Sequence, residues 1–337
     1  MRKLLVRDIF CGRYDEPVTT ISRSGVPIVV ALISAATFAL SGATATAIIA
    51  SGWTSGAAVA ARLTLAGLVL LGPSIVIARK QWEIVKANWK TIVAFGLAAM
   101  AAMQYFYFVA VSRLDVSVAL LLEHTAPLLI VGWIWFRTGR APRVPTMVGS
   151  VFALIGLALV IGVVETLRGD GVEMDTWGVI AALLSAVCLA LYFAIGARDT
   201  GGLHPIVMTC GGMFVGAVAI GLLALVGLLP FAITTNPVEL PTLFGHVVLP
   251  FWAPLIVLVL LATVTAYLTG VYSARFLGST LASFISLTEV MFATLWAWLF
   301  ISQDLDPSQL FGGLFILGGI ILIKWDHGRS QPKITHD

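Results

Sequence analysis

Long apolar runs alternate with short polar stretches along the whole chain. Ten runs, at residues 27–50, 57–78, 91–111, 116–136, 146–164, 177–197, 204–229, 252–274, 279–301 and 309–325, carry almost no charge. Runs of about 17 to 25 apolar residues are long enough to cross the hydrocarbon core of a bilayer as helices. The pattern predicts an all-α integral membrane protein of ten transmembrane helices. The acidic stretch from Glu165 to Asp175 divides the runs into two sets of five, giving a first five-helix unit over 25–164 and a second over 177–325. Because five is odd, the second unit enters the membrane upside down relative to the first, the inverted-repeat plan of many secondary transporters. Two segments echo each other across that division, SVALLLEHTAPLL from Ser117 and TLASFISLTEVMFATL from Thr280, each carrying a Glu.

Composition and charge agree with this plan. Hydrophobic residues make up 59% of the chain and charged ones 11%, with a mean hydropathy of +0.99, where a soluble domain carries about a quarter charged residues. With residues 1–24 and 326–337 as cytoplasmic tails, 17 of the 20 Lys and Arg fall on the cytoplasmic side and only Arg113 and Arg168 outside, as the positive-inside rule requires. The expected location is a bacterial inner membrane, multi-pass, with both termini cytoplasmic. Residues 1–24 are too charged for the apolar core of a signal peptide. The net charge of +3 follows from the side bias and points to no nucleic-acid partner. Cys11, Cys188 and Cys210 have neither metal-type spacing nor a disulfide framework, and no metal or cofactor is expected. The stretch RKQWEIVKANWK sets Trp82, Val85 and Trp89 on one side, as in a segment lying in the cytoplasmic interface.

Only Arg62, Glu123 and Glu289 lie well inside the apolar runs. An ionisable group at bilayer depth costs several kcal/mol, about 2.5 to 3.5 on insertion scales, so it is retained chiefly where it faces a cavity, a partner or a pathway. Pro127 has no amide hydrogen, which frees the carbonyl of Glu123 and sets a carboxylate and a bare acceptor at one depth. Aligning Pro127 with Val290 brings Glu289 to within one turn of Glu123 in the common frame, so the two carboxylates can line one cavity and carry protons. The bland reading of each is a structural Glu bonded to Arg62 or to nearby Ser and Thr. For Arg62, binding a carboxylate (a substrate's or that of Glu123) and snorkelling to the interface weigh equally. His124 reads as a packing residue. Gln104 and Tyr107 can present polar atoms to a cavity, while the neighbouring aromatic residues suit an interfacial belt. Glycines such as Gly212, Gly216, Gly312, Gly313, Gly318 and Gly319 read as close helix contacts.

The segments AARLTLAG, QYFYFVAVSRLDVSVALLLEHTAPLL, AVCLALYFAIGAR and TLASFISLTEVMFATLWAWLFISQDLDPSQLFGG, taken in order, resemble the drug/metabolite transporter superfamily of EamA type, most closely the threonine/homoserine exporter family. The resemblance implies two inverted five-helix repeats that export small metabolites, often amino acids, by alternating access. It departs from the family at His124 and Ala126, and at Val290, where the loss of a proline removes an expected break.

No Gly-rich phosphate loop with a Lys is present, so the energy has to come from a gradient and no enzymatic activity is expected. The sequence thus reads as a secondary transporter of a small solute, amino-acid-like and proton-coupled. Its substrate-binding candidates are Arg62, Gln104, Tyr107, Glu123, Pro127 and Glu289, and its proton-coupling candidates Glu123 and Glu289. An exporter of drugs or nucleobase-type compounds is the second reading, favoured by the aromatic run. A membrane-embedded enzyme or a passive bundle is the third.

Overall fold

Inside a bilayer every backbone amide and carbonyl needs a partner from its own segment, which makes each apolar run a helix. The computed structural model describes residues 25–114, 116–139, 141–160, 175–242, 245–301 and 307–330. Among them seven helical segments are long and apolar enough to cross a membrane: Val26–Ala50, Ser55–Lys80, Trp89–Val111, Val118–Thr138, Thr176–Gly196, Pro205–Leu225 and Trp252–Ser286. The helices Val144–Val160, Thr288–Ile301 and Pro307–Ser330 accompany them, the last running past the expected end of its apolar run at residue 325. The tail 1–24, the junction 161–174 and the terminus 331–337 lie outside the described residues.

Outward faces are apolar, with Val76, Phe136, Val151 and Leu225 exposed, as expected for surfaces that meet lipid. The interior holds bulky aromatic side chains, among them Phe95, Phe108, Tyr192 and Tyr267. Helix Val26–Phe38 packs against Ala266–Ser286, Ser55–Lys80 against Pro205–Leu225, and Met103–Val111 against Thr176–Gly196. Val144–Val160 pairs with Pro307–Ser330 through glycines. A methyl group on Gly156 would sit 2.5 Å from the Gly312 carbonyl oxygen, and one on Gly319 would sit 2.5 Å from that of Gly149. Gly212 and Gly216 similarly face Gly96. Of the glycines expected at helix contacts, Gly318 has only Phe152, at 4.0 Å, and Gly313 meets Met291.

Several spanning helices are interrupted, and the interruptions position the site. Gly96–Ala102 and Leu260–Thr265 are π-helical. The helix Val116–Glu123 stops at a turn of His124 and Thr125 before Ala126–Thr138 begins. Gly278, at φ 76° and ψ 165°, breaks Ala266–Ser286, a conformation that glycine alone adopts cheaply. A further turn at Leu287 precedes Thr288–Ile301. A break therefore persists next to Glu289 without the proline. There Ser283, Ser286 and Thr288 turn their hydroxyls back onto carbonyls three residues earlier, and such bonds compete with the helical ladder.

One element was not anticipated, an antiparallel hairpin of Val238–Thr242 and Gly245–Leu249 with Val238 opposite Leu249. The loop before it is tied to the end of the first span. Trp53 Nε1 donates to the Thr234 carbonyl at 2.8 Å, and Thr234 Oγ1 donates to that of Ser51 at 2.9 Å. At the same end of the molecule the Arg113 guanidinium, 3.0 Å from Asp175, holds that carboxyl below its usual range, aided by the amides of Gly178 and Trp177. In the short helix Trp82–Ala87 and beyond it, Lys86 and Lys90 lie over the exposed rings of Trp82 and Trp89, as an interfacial segment requires.

Candidate functional site

The two breaks beside the carboxylates face each other. His124 Nε2 lies 3.6 Å from Glu289 Oε2, so the turn that ends Val116–Glu123 and the turn that starts Thr288–Ile301 meet across the bundle. The residues around them enclose a cavity of about 50 Å³, room for a few water molecules. Gln104, Tyr107, Glu123, His124, Tyr192 and Glu289 all line it, together with small residues of Val26–Phe38. Glu123 is 7% exposed, His124 1% and Glu289 18%.

Glu123 is held by a hydroxyl that can serve either of its charge states. Ser185 Oγ lies 2.6 Å from Glu123 Oε1 and 3.0 Å from the Met103 carbonyl. A hydroxyl has one hydrogen and two lone pairs. Against an ionised Glu123 it donates to the carboxylate. Against a protonated one it accepts from the carboxyl and donates to Met103. Both states of Glu123 are satisfied without moving the backbone.

His124 is fixed in one tautomer. Its Nδ1 lies 2.9 Å from the Leu120 carbonyl, an acceptor, so Nδ1 carries a hydrogen. Nε2 is then the atom that gains or loses a proton; it is buried, has no hydrogen-bond partner, and faces Glu289. The position read from sequence as packing faces Glu289 across the bundle.

Arg62 neither snorkels nor pairs with Glu123. It is fully buried, so it does not snorkel, and no carboxylate of the described residues reaches ion-pair distance, so the pair with Glu123 is not formed. Four neutral acceptors hold the guanidinium: Thr263 Oγ1 at 2.9 Å, Ser41 Oγ at 3.0 Å, Gln104 Oε1 at 2.7 Å and the Ala262 carbonyl at 2.9 Å. Phe108 lies under it at 5.6 Å. Ala262 and Thr263 belong to the second π segment, where the irregular ladder leaves a carbonyl to accept. Arg62 stands behind the cavity wall, and Ser41 and Gln104, which both line the cavity, are the side chains between. Pro127 likewise begins its helix away from the wall.

Sequence reasoning missed Tyr192, Tyr267 and Ser185. Gln104 Nε2 donates to the Tyr267 hydroxyl, which donates at 3.1 Å to the Ala99 carbonyl of the first π segment. Tyr267 stands edge-on to Phe38 and Tyr192, with ring centres 4.9 and 5.6 Å away. The Tyr192 hydroxyl is buried without a partner. A signal for Tyr267 was present, because the alignment that sets Pro127 on Val290 also sets Gln104 on Tyr267. Nothing singled out Ser185 from the other serines.

The model of the EamA-like transporter family matches residues 25–162 and 176–325, nearly the whole described chain. The chain belongs to the EamA-like transporter family. Among relatives of this EamA-like transporter, a Clostridium kluyveri protein described as an uncharacterized transporter is 22% identical over 260 residues, 77% of this chain and 80% of that one. An Archaeoglobus fulgidus protein with the same description is 25% identical over 219 residues, 65% and 70% of the two chains. A solved protein structure covers 88% of this chain and 98% of its own with a TM-score of 0.62 at 18% identity, a likeness of fold. The EamA-like transporter is therefore a multi-pass membrane protein that moves small molecules, and the cavity between its broken helices is the candidate place for them.

Proposed function

We propose that the protein exports small polar metabolites bearing an ammonium group, amino acids such as threonine or homoserine, in exchange for protons. The charge balance of the buried cluster carries this reading. Arg62 is a permanent cation behind the cavity wall, and Glu123 and Glu289 are two acids on that wall, with His124 facing Glu289. With both acids ionised and His124 neutral, the cluster holds one negative charge too many for a dry interior, where an uncompensated charge is costly. One additional positive charge balances it, either a proton or a substrate ammonium. Two cations that compete for one vacancy are exchanged, which is antiport.

Alternating access by two inverted repeats, ten spans in all, fits the same features. The family match falls in two stretches. The segment Trp252–Ser286 has 35 residues, about 52 Å of helix, too long for one crossing of a core about 30 Å thick, and it is broken at Gly278. The alignment of Pro127 with Val290 sets one π segment on the other, Gln104 on Tyr267, and His124 on Leu287, so each half interrupts corresponding helices at corresponding places. The cavity is smaller than the roughly 300 to 1,000 Å³ of ordinary small-molecule sites, so a loaded form requires the two halves to move apart. The Lys and Arg bias favours cytoplasmic termini in a bacterial inner membrane.

The aromatic wall of Phe38, Tyr107, Tyr192 and Phe193 favours a second reading, an exporter of aromatic or nucleobase-type solutes. One assay separates the two. Purified protein in vesicles preloaded with a labelled panel of amino acids, aromatic amines and nucleobases is placed under an imposed pH gradient. Threonine-like solutes should leave fastest and only against an inward proton gradient. Efflux independent of the gradient overturns the exchange mechanism, and preference for the aromatic compounds selects the second reading.

A further inference from the structure

A second opening lies away from the central cavity, at the end of the bundle where Leu203, His204 and Arg275 come together. It is a groove of about 510 Å³ with walls that include Val30, Ile206, Leu268, Tyr272 and Phe276. These residues are half-buried, as are His204 and Arg275, so the groove is open to its surroundings. Leu268, Tyr272, Arg275 and Phe276 fall at helical spacing on one face of the same helix. From Leu268 to Phe276 that face runs about 12 Å along the axis.

Its polar end is cationic, with the Asp199 carboxylate near enough to act on the Arg275 charge but not paired with it. Arg275 donates to the Leu203 carbonyl, and its other terminal nitrogen lies 3.5 Å from Met208 Sδ. Its Nε is buried without a partner. No carboxylate of the described residues lies within ion-pair distance of it, and Asp199 is turned onto the Gly201 amide. His204 accepts from the Ile206 amide through Nδ1 at 3.2 Å, which leaves Nε2 as a donor in the neutral ring. Burial and the nearby Arg275 hold the His204 pKa below its usual value.

We propose that this groove binds one anionic phospholipid, with its phosphate at Arg275 and His204 and an acyl chain along Leu268, Tyr272 and Phe276. A guanidinium beside an N–H donor matches a phosphate, and an apolar channel of this length matches the first part of a lipid tail. The groove opens at the face to which the Lys and Arg bias assigns the cytoplasm, the leaflet rich in anionic lipids, where basic pockets between helices take headgroups. Free phosphate has the same headgroup chemistry but leaves the apolar channel empty.

The test uses full-length protein, delipidated in a neutral detergent. Native mass spectrometry and thermal unfolding are followed with phosphatidylglycerol, phosphatidylcholine and inorganic phosphate. One phosphatidylglycerol should be retained per chain and should raise Tm more than phosphatidylcholine does, while phosphate alone does neither. Arg275→Gln should weaken retention about tenfold, the loss of one charge-assisted hydrogen bond. Arg275 also holds the Leu203 carbonyl, so two further variants guard against misfolding. His204→Asn keeps the cap on Ile206 while withdrawing the Nε2 donor, and Leu268→Trp fills the channel. Both should lower retention. Equal retention of the two lipids, full retention in both guard variants, or an equal Tm shift with inorganic phosphate overturns the proposal.

Discussion

His124 Nε2 and Glu289 Oε2 lie 3.6 Å apart where two interrupted helices meet, and no hydrogen-bond partner among the described residues reaches that nitrogen. A proton on Nε2 makes an imidazolium that faces the Glu289 carboxylate and draws Val116–Glu123 toward Thr288–Ile301; without it a bare lone pair faces the same carboxylate, and the two repel. The link is thus made and unmade by the ion proposed to drive export.

His124→Gln should remove that dependence. The amide keeps a polar group in place but does not titrate near neutrality. Counterflow of unlabelled against labelled solute should persist, while the pH profile of net efflux flattens. A wild-type profile in this variant would return His124 to a packing role.

Glu123→Gln should mimic the protonated acid, because the amide donates to Ser185 while Ser185 donates to Met103. Thermal stability should stay near wild type and net export should fall to background. A fall in Tm that parallels the loss of transport would make Glu123 structural.

Arg62→Lys should be a folding defect before it is a transport defect. An ammonium on a flexible stem cannot satisfy Thr263, Ser41, Gln104 and Ala262 from one position, and each buried acceptor left bare costs about 1 to 3 kcal/mol. A marked drop in Tm in detergent is expected. Unchanged Tm with wild-type transport would show that the four bonds contribute little.

Gly156→Ala and Gly319→Ala should each destabilise the protein by about 1 to 3 kcal/mol, since the new methyl meets backbone that cannot give way. Gly221→Ala is the control, with nothing within 4 Å of its added carbon, and should be neutral or slightly stabilising. Equal behaviour of the three in thermal unfolding contradicts the close approach of Val144–Val160 and Pro307–Ser330.

Much of the fold was legible because burial in lipid admits few solutions. An apolar run of sufficient length has to be a helix, so most runs coincide with helices, while 252–274 and the start of 279–301 fall together in Trp252–Ser286. Glu123 and Glu289 were legible for the same reason, as costly residues retained at depth. The partners of Arg62 were not, because any of several polar groups can satisfy a guanidinium and only the packing of distant helices selects Ser41, Gln104 and Thr263. The link through His124 depends on a tautomer fixed by a carbonyl and on a break at Leu287 that no proline announces. The hairpin at Val238–Thr242 lies outside the apolar runs, where periodicity carries little information.

The two π segments have a mechanical consequence. Each winds more residues into a turn than an α-helix does, and each has a carbonyl occupied by a side chain from another helix, Ala99 by Tyr267 and Ala262 by Arg62. If one of those bonds lets go, the segment can tighten to α-helical winding and swing everything beyond it by about 100° for each residue taken up. Gln104 lies just past the first segment and Tyr267 just past the second, so such a twist parts them from each other and uncovers Arg62. These helices are equipped to turn about their own axes, with the slack stored one residue at a time.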